Sequence, residues 1–164
     1  MVVRLAKQKD MPTVHRIAHD TWGDGMPVDE YIALCLVSPK YAKGRWFVLE
    51  EDGEIKSALI CYQGAFSLPD NSLGIGSVQT NPQHRKKGFA STLINQVIHR
   101  YSEDNAIDAV FLYSDVDPTI YEKLGFVRLS PSFQKYDTST AMIRPLQKSL
   151  HSLIGPDFNA PSYF

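Results

Sequence analysis

The stretch Ser77–Arg100, SVQTNPQHRKKGFASTLINQVIHR, decides the reading of this chain. A short apolar strand ends at an Asn-Pro turn, three adjacent cations follow, and Gly88 opens a long helix. Phe89, Leu93, Ile94, Val97, Ile98 and Tyr101 form one apolar stripe at helical spacing. A helix N-terminus leaves backbone N–H groups unpaired and carries a partial positive charge, so it can hold a phosphate group. Gly88 permits close backbone approach, Ala90 keeps the first turn slim, and Arg85, Lys86 and Lys87 add fixed charge. Cations beside a helix N-terminus are locally unfavourable, so three of them call for an anionic partner. The bland alternative is a solvated basic turn before an ordinary helix. A nucleoside triphosphate loop is excluded, because the Gly-Lys-Ser/Thr ending is missing.

Outward from this segment, the chain reads as alternating strands and helices. A strand is expected near Val2–Ala6, then a helix begun by Asp10 as N-cap with Met11-Pro12 in its first turn. A second helix is expected over Asp29–Leu36. Arg45–Glu50 and Glu54–Tyr62 read as strands joined by a tight Glu51-Asp52-Gly53 turn. Leu73–Thr80 reads as a strand weakened by Gly74 and Gly76, which suit either a bulge or a crowded core. Ala109–Tyr113 is continuously apolar, as a central strand would be. Asp117-Pro118 reads as a helix start and Gly125 as its C′ residue. Strands near Phe126–Leu129 and Ala141–Arg144 complete the pattern.

With 164 residues, 43% of them apolar and 21% charged, the chain is expected to form a globular domain over residues 1–146. The tail, residues 147–164, carries Leu150, Leu153 and Ile154 at helical spacing and is expected to pack on the domain or on a second subunit. A net charge of −1 gives no global field for nucleic acid. Cys35 and Cys61 have no metal-type spacing and read as reduced thiols. No signal-like segment or bilayer-length apolar run is present, so a cytoplasmic protein without a membrane partner is expected.

Between Arg45 and Phe126 the sequence resembles the GCN5-related N-acetyltransferase superfamily. The resemblance rests on R-x-x-G-x-A, Arg85 to Ala90 in the loop from Gln83, and on Y-x-x-x-G-F, Tyr121 to Phe126. It implies an α/β (α+β) fold with a mixed, mostly antiparallel sheet flanked by helices. It further implies that acetyl-CoA is the co-substrate and no metal is used, with the pyrophosphate bound by Arg85, Lys86, Lys87, Gly88, Phe89, Ala90 and Ser91. Val78, Gln79 and Thr80 are the strand positions expected against the pantetheine arm and thioester. Tyr121 is placed near the coenzyme sulfur as the catalytic acid. Ser114 stands where the family often has asparagine, and Asp117 where it often has alanine; the contact of Ser114 with the pantetheine is the weaker of these inferences.

The implied activity is transfer of an acetyl group to a primary amine by direct attack. The alternatives are another acyl-CoA or acceptor, and a coenzyme A-binding sensor with little catalysis. The strand Leu73–Thr80 offers no carboxylate as a base; Asp115, Glu50 and His84 are the candidates elsewhere. His15 and His19 are expected as a helix-edge pair rather than metal ligands. Phe66, in a loop, is preferred over Trp22 and Trp46 as a lining of the acceptor pocket, and the loops around Gly23–Asp29 and Ser130–Thr140 are expected to select the acceptor. The acceptor itself, and the choice between monomer and homodimer, stay open.

Overall fold

Two successive left-handed residues, Asp52 (φ 54°) and Gly53 (φ 74°), close the hairpin between β2 (Gly44–Glu51) and β3 (Glu54–Tyr62). Positive φ at both positions matches the right-handed twist of the flanking strands. The computed structural model describes residues 1–103 and 107–164. Its remaining strands are β1 (Val2–Leu5), β4 (Ser72–Thr80), β5 (Ala109–Ser114), β6 (Val127–Arg128) and β7 (Thr140–Pro145). They form one seven-stranded sheet in the order β1-β2-β3-β4-β5-β7-β6. β1 with β2, β5 with β7 and β6 with β7 pair antiparallel, while β4 and β5 run parallel. The helices are α1 (Met11–Trp22), α2 (Val28–Leu36), α3 (Phe89–Ser102), α4 (Thr119–Glu122) and α5 (Leu150–Leu153). The mixed, mostly antiparallel sheet is the one the resemblance implies.

The chain divides into two compact units, Met1–Cys61 with Ser77–Val97, and Tyr62–Gly76 with Ile98–Phe164. In the first, β1 lies against β2 with Val3 opposite Leu49 and Arg4 opposite Val48. Asp10 stands at the N-cap of α1 but makes no side-chain cap bond to that helix. Its carboxylate turns back to the Lys7 N–H (2.7 Å) and to Arg4 Nη1 (2.6 Å). Val14, Ile17 and Ala18 bury the apolar side of α1. Tyr31, Ile32 and Cys35 do the same for α2. Leu93, Ile94 and Val97 of α3 are fully buried in this unit.

In the second unit, Ala109–Leu112 of β5 are all at most 2% exposed, as a doubly covered strand requires. Asp117 Oδ1 accepts the Thr119 N–H (3.0 Å) at the start of α4, and Gly125 takes the left-handed φ of 83° expected at C′. The strand expected over Phe126–Leu129 contracts to β6, two residues long. Gly74 answers to crowding: a Cβ there would meet Leu68 Cδ1 and Phe164 Cζ at 2.9 Å. The left-handed residue inside β4 is instead Ser77 (φ 46°), and the recorded β4–β5 register ends at Ile75 opposite Leu112.

Of the tail's apolar spacing only one helical turn forms, α5. Beyond it the chain is irregular yet anchored. Lys135 Nζ donates to the Ala160 carbonyl and Tyr113 Oη to that of Pro161, both at 2.5 Å. The Phe164 ring, 4% exposed, packs against Tyr62, Phe66 and Tyr113. Among the described residues no helix is long and apolar enough to cross a membrane.

Candidate functional site

In the first unit, the segment between β4 and α3 is built from turns that the sequence dictates one after another. Asn81 Oδ1 accepts the Gln83 N–H (3.2 Å), and Pro82–His84 makes a single 3-10 turn. Lys86 (φ 62°) and Gly88 (φ 83°) then take left-handed conformations on either side of Lys87. Left-handed residues in such turns can direct backbone N–H groups toward an anion. The first recorded α3 bond runs from Thr92 N–H to the Gly88 carbonyl (2.9 Å). The amides of Phe89, Ala90 and Ser91 therefore lack partners within the helix. Nothing lies within 4 Å of a Cβ built on Gly88. The backbone there faces open space, as a pyrophosphate would need.

The three cations play different parts. Arg85 Nη2 donates to Asp20 Oδ2 of α1 (2.6 Å) and Arg85 Nε to the Thr80 carbonyl (3.3 Å), so this guanidinium ties the loop down. Lys86 and Lys87 are exposed, and among the described residues neither has an ion-pair partner. Phe89 is buried with its ring edge-on to His84, so its contribution is its amide. Ala90 and Ser91 are half-buried.

A second network holds this loop from behind, and the sequence reasoning missed it. Lys56 of β3 is only 7% exposed, and its ammonium pairs with Glu54. His84 Nε2 lies 3.2 Å from Lys56 Nζ and 3.0 Å from Glu54 Oε1. Asn81 Nδ2 donates to the same Glu54 oxygen (3.2 Å), and the Asn81 N–H to the Lys56 carbonyl (2.9 Å). Hydrogen bonds from Lys56 and then His84 hold the Glu54 carboxyl below its ordinary range. The available signal was a lysine inside an otherwise apolar strand, two residues from a glutamate and so on the same face.

Val78 and Thr80 are half-buried. Thr80 Oγ1 lies 3.1 Å from Ser57 Oγ, which donates to the Gln79 carbonyl (2.6 Å). The Gln79 side chain points away to α1, Nε2 donating to the Val14 carbonyl (2.8 Å). What Gln79 offers a ligand is main chain alone.

Ser114 and Tyr121 belong to the second unit. Ser114 is buried and its hydroxyl donates to the Val116 carbonyl (2.8 Å). Tyr121 packs edge-on against Phe126, and among the described residues its hydroxyl has no hydrogen bond. Burial, and secondarily the Asp115 charge, push the Tyr121 hydroxyl up to about 12. It keeps its proton at neutral pH, the form a general acid needs.

Each candidate base is already engaged. Asp115 accepts from Ser139 Oγ (2.6 Å) and Tyr163 Oη (2.7 Å). Glu50 pairs with Arg4 (2.5 Å), and His84 belongs to the Glu54–Lys56 network. His15 and His19 do not form an edge pair: His19 Nε2 meets the Met26 carbonyl (2.6 Å), whereas His15 is 1% exposed between Tyr41 and Trp46. Phe66 lies in the aromatic cluster with Tyr62 and Phe164. Trp46 is buried and Trp22 exposed, and each lines a cavity in the first unit, of 270 and 430 Å³ respectively. The two loops expected to select an acceptor both border cavities: Gly23, Asp24 and Met26 that of 430 Å³, Ser130–Thr140 one of 550 Å³ in the second unit.

Residues 2–128 match the family model of the acetyltransferase (GNAT) domain. A search of curated proteins finds no sequence match. Similar solved structures include a chimera of Vibrio cholerae spermidine N-acetyltransferase SpeG and hSSAT, 21% identical, with a TM-score of 0.65 over 90% of this chain and 96% of that one. Tetrahymena GCN5 is 14% identical, with a TM-score of 0.67 over 91% and 99%. N-acetylglutamate synthase from Neisseria gonorrhoeae, complexed with coenzyme A and N-acetyl-glutamate, is 17% identical, with a TM-score of 0.67 over 90% of this chain and 35% of that one. At these identities the likeness is one of fold.

Proposed function

The chain belongs to the GNAT acetyltransferase family, and from that premise we propose that it transfers an acetyl group from acetyl-CoA to a primary amine. The observation that carries the proposal is the loop at Lys86–Gly88. Two left-handed residues, three amides without helical partners, two exposed lysines and open space over Gly88 converge there. Amides and lysines together suit a pyrophosphate better than a single carboxylate. Arg85 acts mainly as the strut that fixes the loop to Asp20.

The proposed mechanism is direct attack. The neutral amine adds to the thioester carbonyl, backbone amides of β4 near Val78 and Thr80 steady the developing oxyanion, and the C–S bond breaks. Tyr121 Oη supplies a proton to the leaving thiolate, the amine loses one to solvent, and Tyr121 takes one back from solvent. With Asp115, Glu50 and His84 already hydrogen-bonded, no side chain is assigned as base. That same engagement favours a second reading, a coenzyme A-binding sensor with little catalysis. The test is release of free coenzyme A thiol from acetyl-CoA in the presence of a panel of amines, with the acetylated product identified by mass. Amine-dependent thiol release supports transfer. Thiol release at the no-amine background for every acceptor, with acetyl-CoA still bound, favours the sensor.

A further inference from the structure

In the first unit, the chain leaves β4 for the Lys86–Gly88 loop through the turn Asn81–His84. Within that turn, Asn81 Oδ1 accepts the Gln83 N–H (3.2 Å) and the Asn81 carbonyl accepts the His84 N–H (2.7 Å). Both ends of the turn then meet one side chain of β3. Glu54 Oε1 accepts from Asn81 Nδ2 (3.2 Å) and lies 3.0 Å from His84 Nε2. The other oxygen, Glu54 Oε2, pairs with the Lys56 ammonium. Glu54 and Lys56 stand two residues apart, on one face of the strand.

Folding alone gives little reason for this cluster. The Lys56 side chain is only 9% exposed, in a strand whose residues from Ile55 to Tyr62 are all buried. A buried ammonium loses its hydration and needs a partner. An apolar residue of similar volume often serves stability as well or better. The Glu54 side chain is 47% exposed, and an ion pair at such exposure adds little to stability. What the cluster does supply is position. Lys56 holds one carboxylate oxygen, which aims the other at the turn.

We propose that Glu54 is a positioning residue for coenzyme A: its carboxylate clips both ends of the Asn81–His84 turn and so sets the Lys86–Gly88 loop before the pyrophosphate arrives. The inference rests on the coenzyme reading of that loop. A loop already set has less freedom to lose on binding. A carboxylate accepts at both oxygens, toward Lys56 and toward the turn at once. Glutamine has one accepting oxygen and one donating amide group, so it cannot do both.

The test is isothermal titration of acetyl-CoA into wild type, Glu54→Gln, Asn81→Asp and the double variant, with folding checked by circular dichroism. In Glu54→Gln the amide oxygen stays on Lys56 and the amide nitrogen faces the Asn81 amide, donor against donor. On charge alone, losing a carboxylate near the loop would tighten the binding of a polyanion. The clip predicts the opposite sign, binding weaker by about tenfold, the scale of one charge-assisted hydrogen bond. Asn81→Asp keeps an acceptor for the Gln83 N–H but sets two carboxylates against each other, and it should weaken binding similarly. The double variant exchanges donor and acceptor, the glutamine donating to the aspartate, at the net charge of wild type. It should recover affinity to within about threefold of wild type, a rescue that a general loss of structure would not show. If wild type does not bind acetyl-CoA, the coenzyme reading falls and this inference with it. If wild type binds, the positioning role alone is overturned by any of three results: Glu54→Gln binds as tightly or more tightly, Glu54→Gln does not fold, or the double variant is no better than the single ones.

Discussion

Gly74 offers a quantitative check on the packing of the second unit. Its φ lies outside the left-handed region, so alanine suits the strand itself better than glycine by about 0.5–1 kcal/mol. Against this, the new Cβ would stand 2.9 Å from Leu68 Cδ1 and from Phe164 Cζ, and 3.1 Å from Phe164 Cε2. The leucine tip can rotate away. The phenylalanine ring is held by Tyr62, Phe66 and Tyr113 and cannot. Overpacking of this kind costs about 1–3 kcal/mol. The net expectation for Gly74→Ala is a loss of about 0.5–2 kcal/mol. Phe164→Leu removes the obstructing ring atoms at its own cost, and in that background Gly74→Ala should become neutral or stabilising by up to ~1 kcal/mol. Urea unfolding of the four proteins in this cycle gives the coupling. A coupling of about 1 kcal/mol or more is expected. Additivity within ~0.5 kcal/mol would show that the Phe164 ring does not occupy the space beside Gly74.

Three further outcomes concern two side chains. Tyr121→Phe should lower kcat at least ~tenfold, equivalent to ~1.4 kcal/mol, with acetyl-CoA affinity unchanged; an unaltered kcat removes Tyr121 from the mechanism. Because its hydroxyl is pushed up to about 12, the wild-type kcat should show no loss from Tyr121 deprotonation between neutral pH and the ordinary tyrosine value of ~10. A fall in kcat centred near ~10 that Tyr121→Phe abolishes would contradict the burial argument. Asp10 is held below its ordinary range, first by the Arg4 hydrogen bonds. Its contribution to stability is therefore present above the unfolded value of ~3.9 and is lost as pH falls through the lower folded value. Asp10→Asn should lower stability at neutral pH and flatten the acid limb in equilibrium unfolding. An unchanged acid limb would assign the loss to other carboxylates.

Local signals were legible where sequence chemistry is self-contained. The Asp52-Gly53 turn, the bounds of β3, the buried face of α3 and the left-handed Gly125 all follow from a few adjacent residues. The turns of the Asn81–Gly88 loop were legible because their parts are contiguous. What escaped depends on neighbours distant in sequence. His15 looks like an edge residue until Tyr41 and Trp46 close over it, and the left-handed residue in β4 is Ser77, which has no signal in the sequence. Gly74 is explained by Leu68 and by Phe164, the latter ninety positions later. The docking of residues beyond α5 has no periodicity to betray it; it rests on single bonds such as Tyr113 to Pro161. The candidate bases looked available because sequence does not reveal that Ser139 and Tyr163 reach Asp115, or Arg4 reaches Glu50.

The most direct test of the central claim is isothermal titration of acetyl-CoA into wild type and Gly88→Glu. The substitution sets a carboxylate in the open space over the loop and forces a non-glycine residue to φ 83°, a strain of roughly 1–2 kcal/mol, so folding is checked by circular dichroism. The account predicts saturable binding by wild type and its loss in a variant that remains folded. Wild type that fails to bind, or a folded variant that binds equally well, would contradict it.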